Sequence, residues 1–170
     1  MSAGADTEGD VAIWDELKKD LIAAEGRETR VYRDSLGYPT CGIGHLLTDD
    51  ELDKFPLGTD VSDEQIGIWY LADEKKIRDA IAEYFGNSWG LFPDVAKLAV
   101  ANWLWQLGAN APSRWHRATE AIQNMDWATA ADEFEYANPR VKRLSEWYHQ
   151  TPSRCRQEVD RLRAAAKEAK

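Results

Sequence analysis

Two acids, Glu25 and Asp34, lie within one short stretch, EGRETRVYRDSLGYPTCGIGHLLT, which runs from Glu25 to Thr48. A pair of carboxylates can flank a glycosidic bond, one giving a proton to the leaving oxygen and the other directing a water. The donor should be partly desolvated so that it stays protonated near neutral pH. A Glu at the end of a buried helix suits that role, and an Asp at the end of a strand suits the second. In a single-displacement reaction the two groups stand roughly 6.5–9.5 Å apart. A nearby hydroxyl such as that of Thr40 could hold the water. Spacing alone leaves the alternative open, because most Glu and Asp pairs are solvated surface charge.

The elements that would position these groups are readable. The first nine residues read as a flexible tail, and Asp10 as the N-cap of a helix carrying Trp14, Leu17 and Leu21 at helical spacing. Gly26 is a suitable residue just past that helix, which puts Glu25 in its last turn. TRVYRD and TCGIG read as short strands joined by the turn residues of SLGYP. DDELDKFPLG reads as a helical turn and a loop. Ser62 with Gln65 makes a capping-box pattern. It opens a long helix whose apolar face holds Ile66, Trp69, Tyr70, Ile77, Ala80, Ile81 and Tyr84. Pro93 opens the next helix, PDVAKLAVANWLWQLG, which Gly108 stops. It is apolar nearly all round and is expected at the centre of a bundle. Ser113 and Asp126 are expected to cap two further helices, and PRVKRLSEWYHQ to form another. Thr151 and Pro152 are expected to open the last, with Cys155, Val159 and Leu162 facing inward. The sum is a mostly helical chain with one small β region near the N-terminus.

Asp73 breaks the pattern of its helix. It is in register with Ile66, Tyr70 and Ile77, where a carboxylate is costly unless paired. His45, in the β region, would be a suitable partner, and the pairing would raise the histidine's pKa. Alternatively Asp73 sits at the wet edge of the face, and the pattern alone does not choose.

Composition narrows the classes. The chain of 170 residues is 44% apolar and 30% charged, with a formal net charge of −9 and eight Trp. Such a chain is globular and can bury a sizeable core. From Arg140 to Lys170 nine Lys and Arg face four Asp and Glu, a local +5 that leaves −14 over the rest. A dominant basic surface is absent, so no nucleic-acid partner is expected. Cys41 and Cys155 are too few for a disulfide framework or a structural zinc site. Cys41 and His45 could offer two metal ligands, but nothing nearby supplies more, so no metal and no cofactor are expected. The opening MSAGADTEGD lacks the apolar stretch of a signal peptide, and no run is long enough to span a bilayer. A cytoplasmic chain with no stable membrane association is therefore expected. No Ser/His/Asp nucleophile motif is recognisable, and His116 and His149 are assigned no role.

The stretch from Glu25 to Thr48 resembles the active-site segment of the lysozymes of T-even bacteriophages and related endolysins, glycoside hydrolase family 24. The shared pattern is E-G, then Y-x-D, then G-Y-x-T-x-G-x-G-H-L-L-T. Two further blocks, AVANWLWQLG and WYHQTPSR, resemble the family's central helix and its W-Y-N-Q-T-P-x-R block, and DWATAA is weakly similar. Together they span most of the chain from Glu25 to Arg154. The resemblance implies a mainly α, lysozyme-like α+β fold. A small β lobe at about 25–65 is joined by a long helix at about 62–84 to a helical lobe at about 85–170, which also takes the N-terminal helix 10–25. The resemblance also implies a cleft between the lobes and one lysozyme domain over residues 10–170. It implies Glu25 as general acid, Asp34 as the carboxylate that activates water, and Thr40 as the residue that positions it. It also implies a His45–Asp73 pair, an Arg154 that approaches Glu25, and Leu46, Trp105 and Gln106 as contacts to the sugar chain.

The implied activity is that of a muramidase, cleaving the β-1,4 bond between N-acetylmuramic acid and N-acetylglucosamine in peptidoglycan, with inversion and without a cofactor. The implied setting is host lysis by a monomer held in the host cytoplasm until a phage holin opens the membrane. A lytic transglycosylase, or a non-catalytic wall-binding or virion domain, are the alternatives; the intact Asp34 and Thr40 speak against the first, and the retained acids against the second. Several features depart from the family. The Thr48–Ser62 connection is short, Trp105 stands for a phenylalanine, and Pro39 stands where an aromatic is usual. Extra residues lie between Phe134 and Trp147. The net charge is acidic where the T-even enzyme is basic, which weakens attraction to anionic walls at low salt.

Overall fold

The computed structural model describes residues 8–169. It is mainly α, with eight α-helices and five short strands among the described residues. Helix α1 (Glu8–Glu25) leads into strands β1 (Glu28–Arg33), β2 (Pro39–Gly42) and β3 (His45–Leu46), then α2 (Asp49–Lys54) and α3 (Asp63–Phe85). Helices α4 (Asp94–Leu107), α5 (His116–Gln123) and α6 (Trp127–Glu135) follow. A hairpin of β4 (Tyr136–Asn138) and β5 (Arg143–Leu144) then precedes α7 (Glu146–Gln150) and α8 (Pro152–Glu168). The chain divides into two compact units. Lys18–Lys76 form one, and the described residues up to Leu17 and from Ile77 onward form the other.

In the Lys18–Lys76 unit, β1, β2 and β3 make an antiparallel sheet in sequence order. Tyr32 pairs with Thr40, Thr40 with Leu46, and Cys41 with His45. Cross-strand partners share a face, and neighbours along a strand alternate. Val31, Cys41 and His45 therefore form one face, and Tyr32, Thr40 and Leu46 the other. The first face is the core face: Val31, Cys41 and Leu47 cluster with Val61, Ile66 and Trp69, and Leu52 and Phe55 pack on the edge. The outer edge of β1 is occupied by the segment after α2, where Val31 donates to Thr59 O at 3.0 Å and Val61 to Thr29 O at 2.7 Å.

In the other unit, α4 is the buried axis. Ala96, Ala99, Val100, Ala101, Trp103 and Leu104 have no exposed surface. The small residues let α8 pack closely on α4, while α8 also packs on α6, and α6 on α5. Aromatic rings fill the remainder: Phe134 lies 5.1 Å from Trp103 and 5.3 Å from Trp147, and Trp127 meets Phe92 edge-on at 4.9 Å. Each such ring contributes about 1.5–3 kcal/mol relative to an exposed one.

Several local expectations change. Of the tail expected over the first nine residues, 1–7 lie outside the described residues, and α1 already begins at Glu8, so Asp10 is inside the helix rather than capping it. Phe85, 1% exposed, takes the buried place at the end of α3 that was expected for Tyr84. Ser113 caps nothing: it ends a 3-10 turn, its hydroxyl donating to Asn110 O at 2.8 Å, and α5 starts three residues later. Asp126 does cap α6, accepting from Thr129 N–H at 3.1 Å.

The stretch from Pro139 to Gln150 is not one helix. Pro139 cannot donate to a preceding turn, and Lys142 is left-handed at φ +50°. The chain folds back as the β4–β5 hairpin, and only at Ser145, whose hydroxyl accepts from Tyr148 N–H at 3.0 Å, does α7 begin. The single β region expected is thus two separate sheets.

Candidate active site

Glu25 is the last residue of α1. Gly26 follows at φ +76°, its N–H closing on Ile22 O at 2.9 Å, a conformation that glycine adopts without strain. The Glu25 side chain lies over Gly44 in the β2–β3 turn: a Cβ built on that glycine would stand 3.7 and 3.8 Å from Glu25 Cγ and Cδ. Glu25 is exposed, which differs from the partly desolvated setting expected of a proton donor.

Asp34 follows β1 directly and holds the β1–β2 turn together. Its N–H donates to Tyr38 O, and its Oδ1 accepts the N–H groups of Leu36 and Tyr38, all at 2.9 Å. Its position, two residues beyond Tyr32 and opposite Tyr38, continues the outer face of the sheet. Thr40 lies on that face, 3% exposed, with its hydroxyl donating to Tyr38 O at 3.0 Å. A hydroxyl has one proton to donate. With that proton given to Tyr38, Thr40 Oγ1 offers only lone pairs to anything else, and Asp34 Oδ2 likewise offers only acceptance. Leu46, 55% exposed, completes the row.

Tyr32 was not singled out from the sequence. Its phenol is held above the ordinary value by partial burial and then by the charges of Glu25, Glu28 and Asp34, so both candidate acids bear on it.

His45 occupies the core face, 7% exposed, stacked on Trp69 at 4.8 Å and 13° between planes. Nδ1 lies 2.6 Å from Asp73 Oδ2, and Nε2 lies 3.2 Å from Glu51 Oε2. Only an imidazolium can donate at both nitrogens. Burial works against that charge, but the hydrogen bonds and charges of Asp73 and Glu51 together outweigh it, and the His45 pKa lies above the ordinary histidine value. Asp73 is likewise pushed up by burial and drawn down further by His45 and by Lys76, whose Nζ is 2.7 Å from Oδ1.

Glu51 was missed in the sequence. Its signal was the T-x-x-E pattern of Thr48 and Glu51: Glu51 N–H donates to Thr48 Oγ1 at 3.3 Å, and Thr48 N–H to Glu51 Oε2 at 2.9 Å. The same Oε2 faces His45, so the cap of α2 and the histidine share an acceptor.

Glu25, Asp34, Thr40, His45, Leu46 and Asp73 all belong to the Lys18–Lys76 unit. Trp105, Gln106 and Arg154 belong to the other. Trp105 and Gln106 are half-buried in the last turn of α4. Gln106 Oε1 accepts from Trp147 Nε1 at 3.1 Å and from Thr151 Oγ1 at 3.2 Å. Thr151 therefore turns its hydroxyl to Gln106 and makes no side-chain cap on α8. Arg154, 8% exposed in the first turn of α8, reaches Asn102 Oδ1 at 3.4 Å.

A family model described as phage lysozyme matches residues 22–146. The chain belongs to the phage lysozyme family. Similar proteins include two from Dictyostelium discoideum. "Probable T4-type lysozyme 1" is 28% identical over 162 residues, covering 84% of this chain and 88% of the relative. "Probable T4-type lysozyme 2" is 27% identical over 159 residues, covering 81% and 88%. As a member of the family this chain is a glycoside hydrolase of the lysozyme type, with peptidoglycan as substrate. The matched span holds Glu25, Asp34, Thr40, His45, Leu46, Asp73, Trp105 and Gln106, and ends before Arg154. A cavity of about 360 Å³ is lined by Trp115, Arg117, Glu133, Tyr136 and neighbours, and includes none of the expected site residues. No helix among the described residues is long and apolar enough to cross a membrane.

Proposed function

We propose that the chain is a muramidase that cleaves the β-1,4 bond between N-acetylmuramic acid and N-acetylglucosamine in a single displacement with inversion. The observation that carries this reading is the hydrogen-bond state of Asp34 and Thr40. Asp34 Oδ1 is committed to two backbone N–H groups and the Thr40 proton to Tyr38 O, so the remaining oxygen of each can only accept. A water between them donates both of its protons and keeps a lone pair for the anomeric carbon. As the bond forms, Asp34 takes one proton from that water. Glu25 gives its own proton to the leaving oxygen, and the two carboxyl groups end the cycle with exchanged protonation. A glycan seated over the exposed Glu25 supplies the desolvation that the free enzyme lacks. Leu46 completes the reading as a residue that holds the sugar chain, and the His45–Asp73 pair as support for the sheet. The setting is host lysis, a monomer reaching the wall through a holin-opened membrane.

The test is a digest of purified peptidoglycan with the wild type, Glu25→Gln and Asp34→Asn. Reducing muramic-acid ends that appear first as the α anomer, and fall on the order of 100-fold or more in either variant, are expected. β-anomeric products would overturn inversion. Anhydro ends would assign the protein to the lytic transglycosylases and leave the Asp34–Thr40 pair without a task.

A further inference from the structure

The β1–β2 turn displays two large and mostly exposed side chains. Leu36 is 77% exposed and Tyr38 56% exposed. The core of the Lys18–Lys76 unit lies on the opposite face of the sheet, so neither side chain contributes to it. The turn that carries them is nonetheless tightly built. Asp34 Oδ1 holds both of their N–H groups at 2.9 Å, and Gly37, at φ +88°, donates to Asp34 O at 2.9 Å. Gly37 O in turn accepts from Arg33 Nη1 at 2.7 Å. A rigid turn that exposes a leucine and a tyrosine offers a preorganised surface, and binding there costs little ordering entropy. Tyr38 also lies on the same sheet face as Thr40 and Leu46.

We infer that this turn is a sugar-binding platform, in which Leu36 and Tyr38 receive the apolar faces of the N-acetylated hexosamines beside the bond to be cut. The inference rests on the reading of Asp34 as the water-directing carboxylate, because that places the turn next to the reacting carbon. Three chemical facts favour a glycan. The C–H faces of a pyranose and its acetamido methyl are apolar, and an aromatic face matches the first. Tyr38 shares its sheet face with Thr40 and Leu46 of the candidate site. The area of the patch, a few side chains of at most 150–250 Å² each, is far below the roughly 800 Å² per partner that a stable protein interface needs. Substrate on the platform also bears directly on Asp34, since the backbone that carries Leu36 and Tyr38 is the backbone its carboxylate grips.

The experiment measures binding apart from turnover. In a Glu25→Gln background, calorimetry gives the dissociation constant of the hexamer of β-1,4-linked N-acetylglucosamine for the parent and for Leu36→Ser, Leu36→Met, Tyr38→Ser and Tyr38→Phe. Half-burial of each side chain by sugar predicts that the two serine variants bind about tenfold more weakly. Leu36→Met and Tyr38→Phe should stay within about twofold of the parent. In the active enzyme the serine variants should raise KM with kcat little changed, since the N–H bonds to Asp34 are backbone bonds. Serine variants that bind like the parent overturn the platform. So does a Tyr38→Phe loss as large as that of Tyr38→Ser, which would assign the effect to the hydroxyl, or a parent that does not bind the hexamer. The reading of Asp34 fails separately: Asp34→Asn would retain activity while the binding series kept its pattern.

Discussion

Replacing Asp73 by asparagine keeps the shape of the side chain and one acceptor for His45, and removes only the charge. The two side chains are 8% and 21% exposed and 2.6 Å apart. Breaking a buried ion pair by removing one partner costs about 3–5 kcal/mol, much of it from the charge left behind. Glu51 remains at Nε2 as a second counter-ion, so the lower end, about 3 kcal/mol, is expected at pH 5.5. That corresponds to a fall in Tm of about 6–12 °C for a chain of this size.

The pH dependence distinguishes a charged pair from a packing effect. The folded pKa of His45 is raised, so its contribution is fully present below the ordinary histidine value near 6.5 and is lost as pH rises through the folded pKa. The folded pKa values of Asp73 and Glu51 are lowered, so their contributions are present above the ordinary carboxylate range and are lost as pH falls through the folded values. The difference between wild type and Asp73→Asn should therefore be greatest between about pH 4.5 and 6.5 and shrink on both sides. Urea unfolding at pH 3, 5.5 and 9.5 reads this directly. A penalty equal at all three pH values would show that the pair acts by shape rather than charge. A penalty below about 1 kcal/mol at pH 5.5 would show that desolvation had already cancelled the attraction.

Two glycines of the sheet should respond differently to alanine. Both have positive φ, +66° at Gly42 and +71° at Gly44, which costs about 1–2 kcal/mol for a side chain, but only at Gly42 would the Cβ press within 3.0 Å of Ile66 Cγ2. Gly42→Ala should thus be the less stable variant by at least about 1 kcal/mol in urea unfolding, and equal losses would contradict the geometry. Cys155 is buried and its thiol pushed up to about 12, and burial also raises Cys41. A disulfide reagent at pH 8 should label neither cysteine before unfolding and both after it. The net charge of −9 opposes an anionic wall, so lysis of whole walls should speed up as salt rises from about 0.01 to 0.15 M. A rate that falls with salt over that range would show that local basic surface outweighs the net charge.

The parts of the site that were legible are those where one residue type conflicts with its pattern. Asp73 stood out because a carboxylate interrupted an apolar helical face, and that conflict pointed to a partner. TRVYRD and TCGIG were legible as strands, but the sharing of one face by Tyr32 and Thr40, and of the other by Val31 and Cys41, came only with the strand pairing. The roles of Glu25, Asp34 and Thr40 came from family resemblance, since carboxylate spacing alone is shared with ordinary surface charge. The failures are places where a distant contact competes with a local signal. Thr151 before Pro152 reads as a helix cap, yet its hydroxyl goes to Gln106, 45 residues away. Val141, Leu144 and Trp147 imitate a helical stripe, while Pro139 and the left-handed Lys142 fold the same residues into a hairpin. Glu51 carried a capping signal, the T-x-x-E that starts at Thr48, which was missed, and its second task, facing His45, needs the closed sheet.

That second task explains why a charged cluster sits in the same unit as an apolar core cluster. Strand β3 is only two residues long, His45 facing inward and Leu46 outward. A slip of one residue against β2 would exchange the two faces. Two residues and a few ladder bonds give little resistance to such a slip, and an apolar residue at position 45 would tolerate it, since Leu46 could replace it in the core. The imidazolium cannot be replaced in this way. It is held by Asp73 on α3 and by Glu51 on α2, two elements that do not belong to the sheet. A slipped strand would take the imidazolium from both carboxylates, leave Asp73 with Lys76 alone, and push a leucine against them. The ion cluster thus contributes register more than net stability, and the register it sets is the one that aligns Tyr32, Thr40 and Leu46 on one face of the sheet.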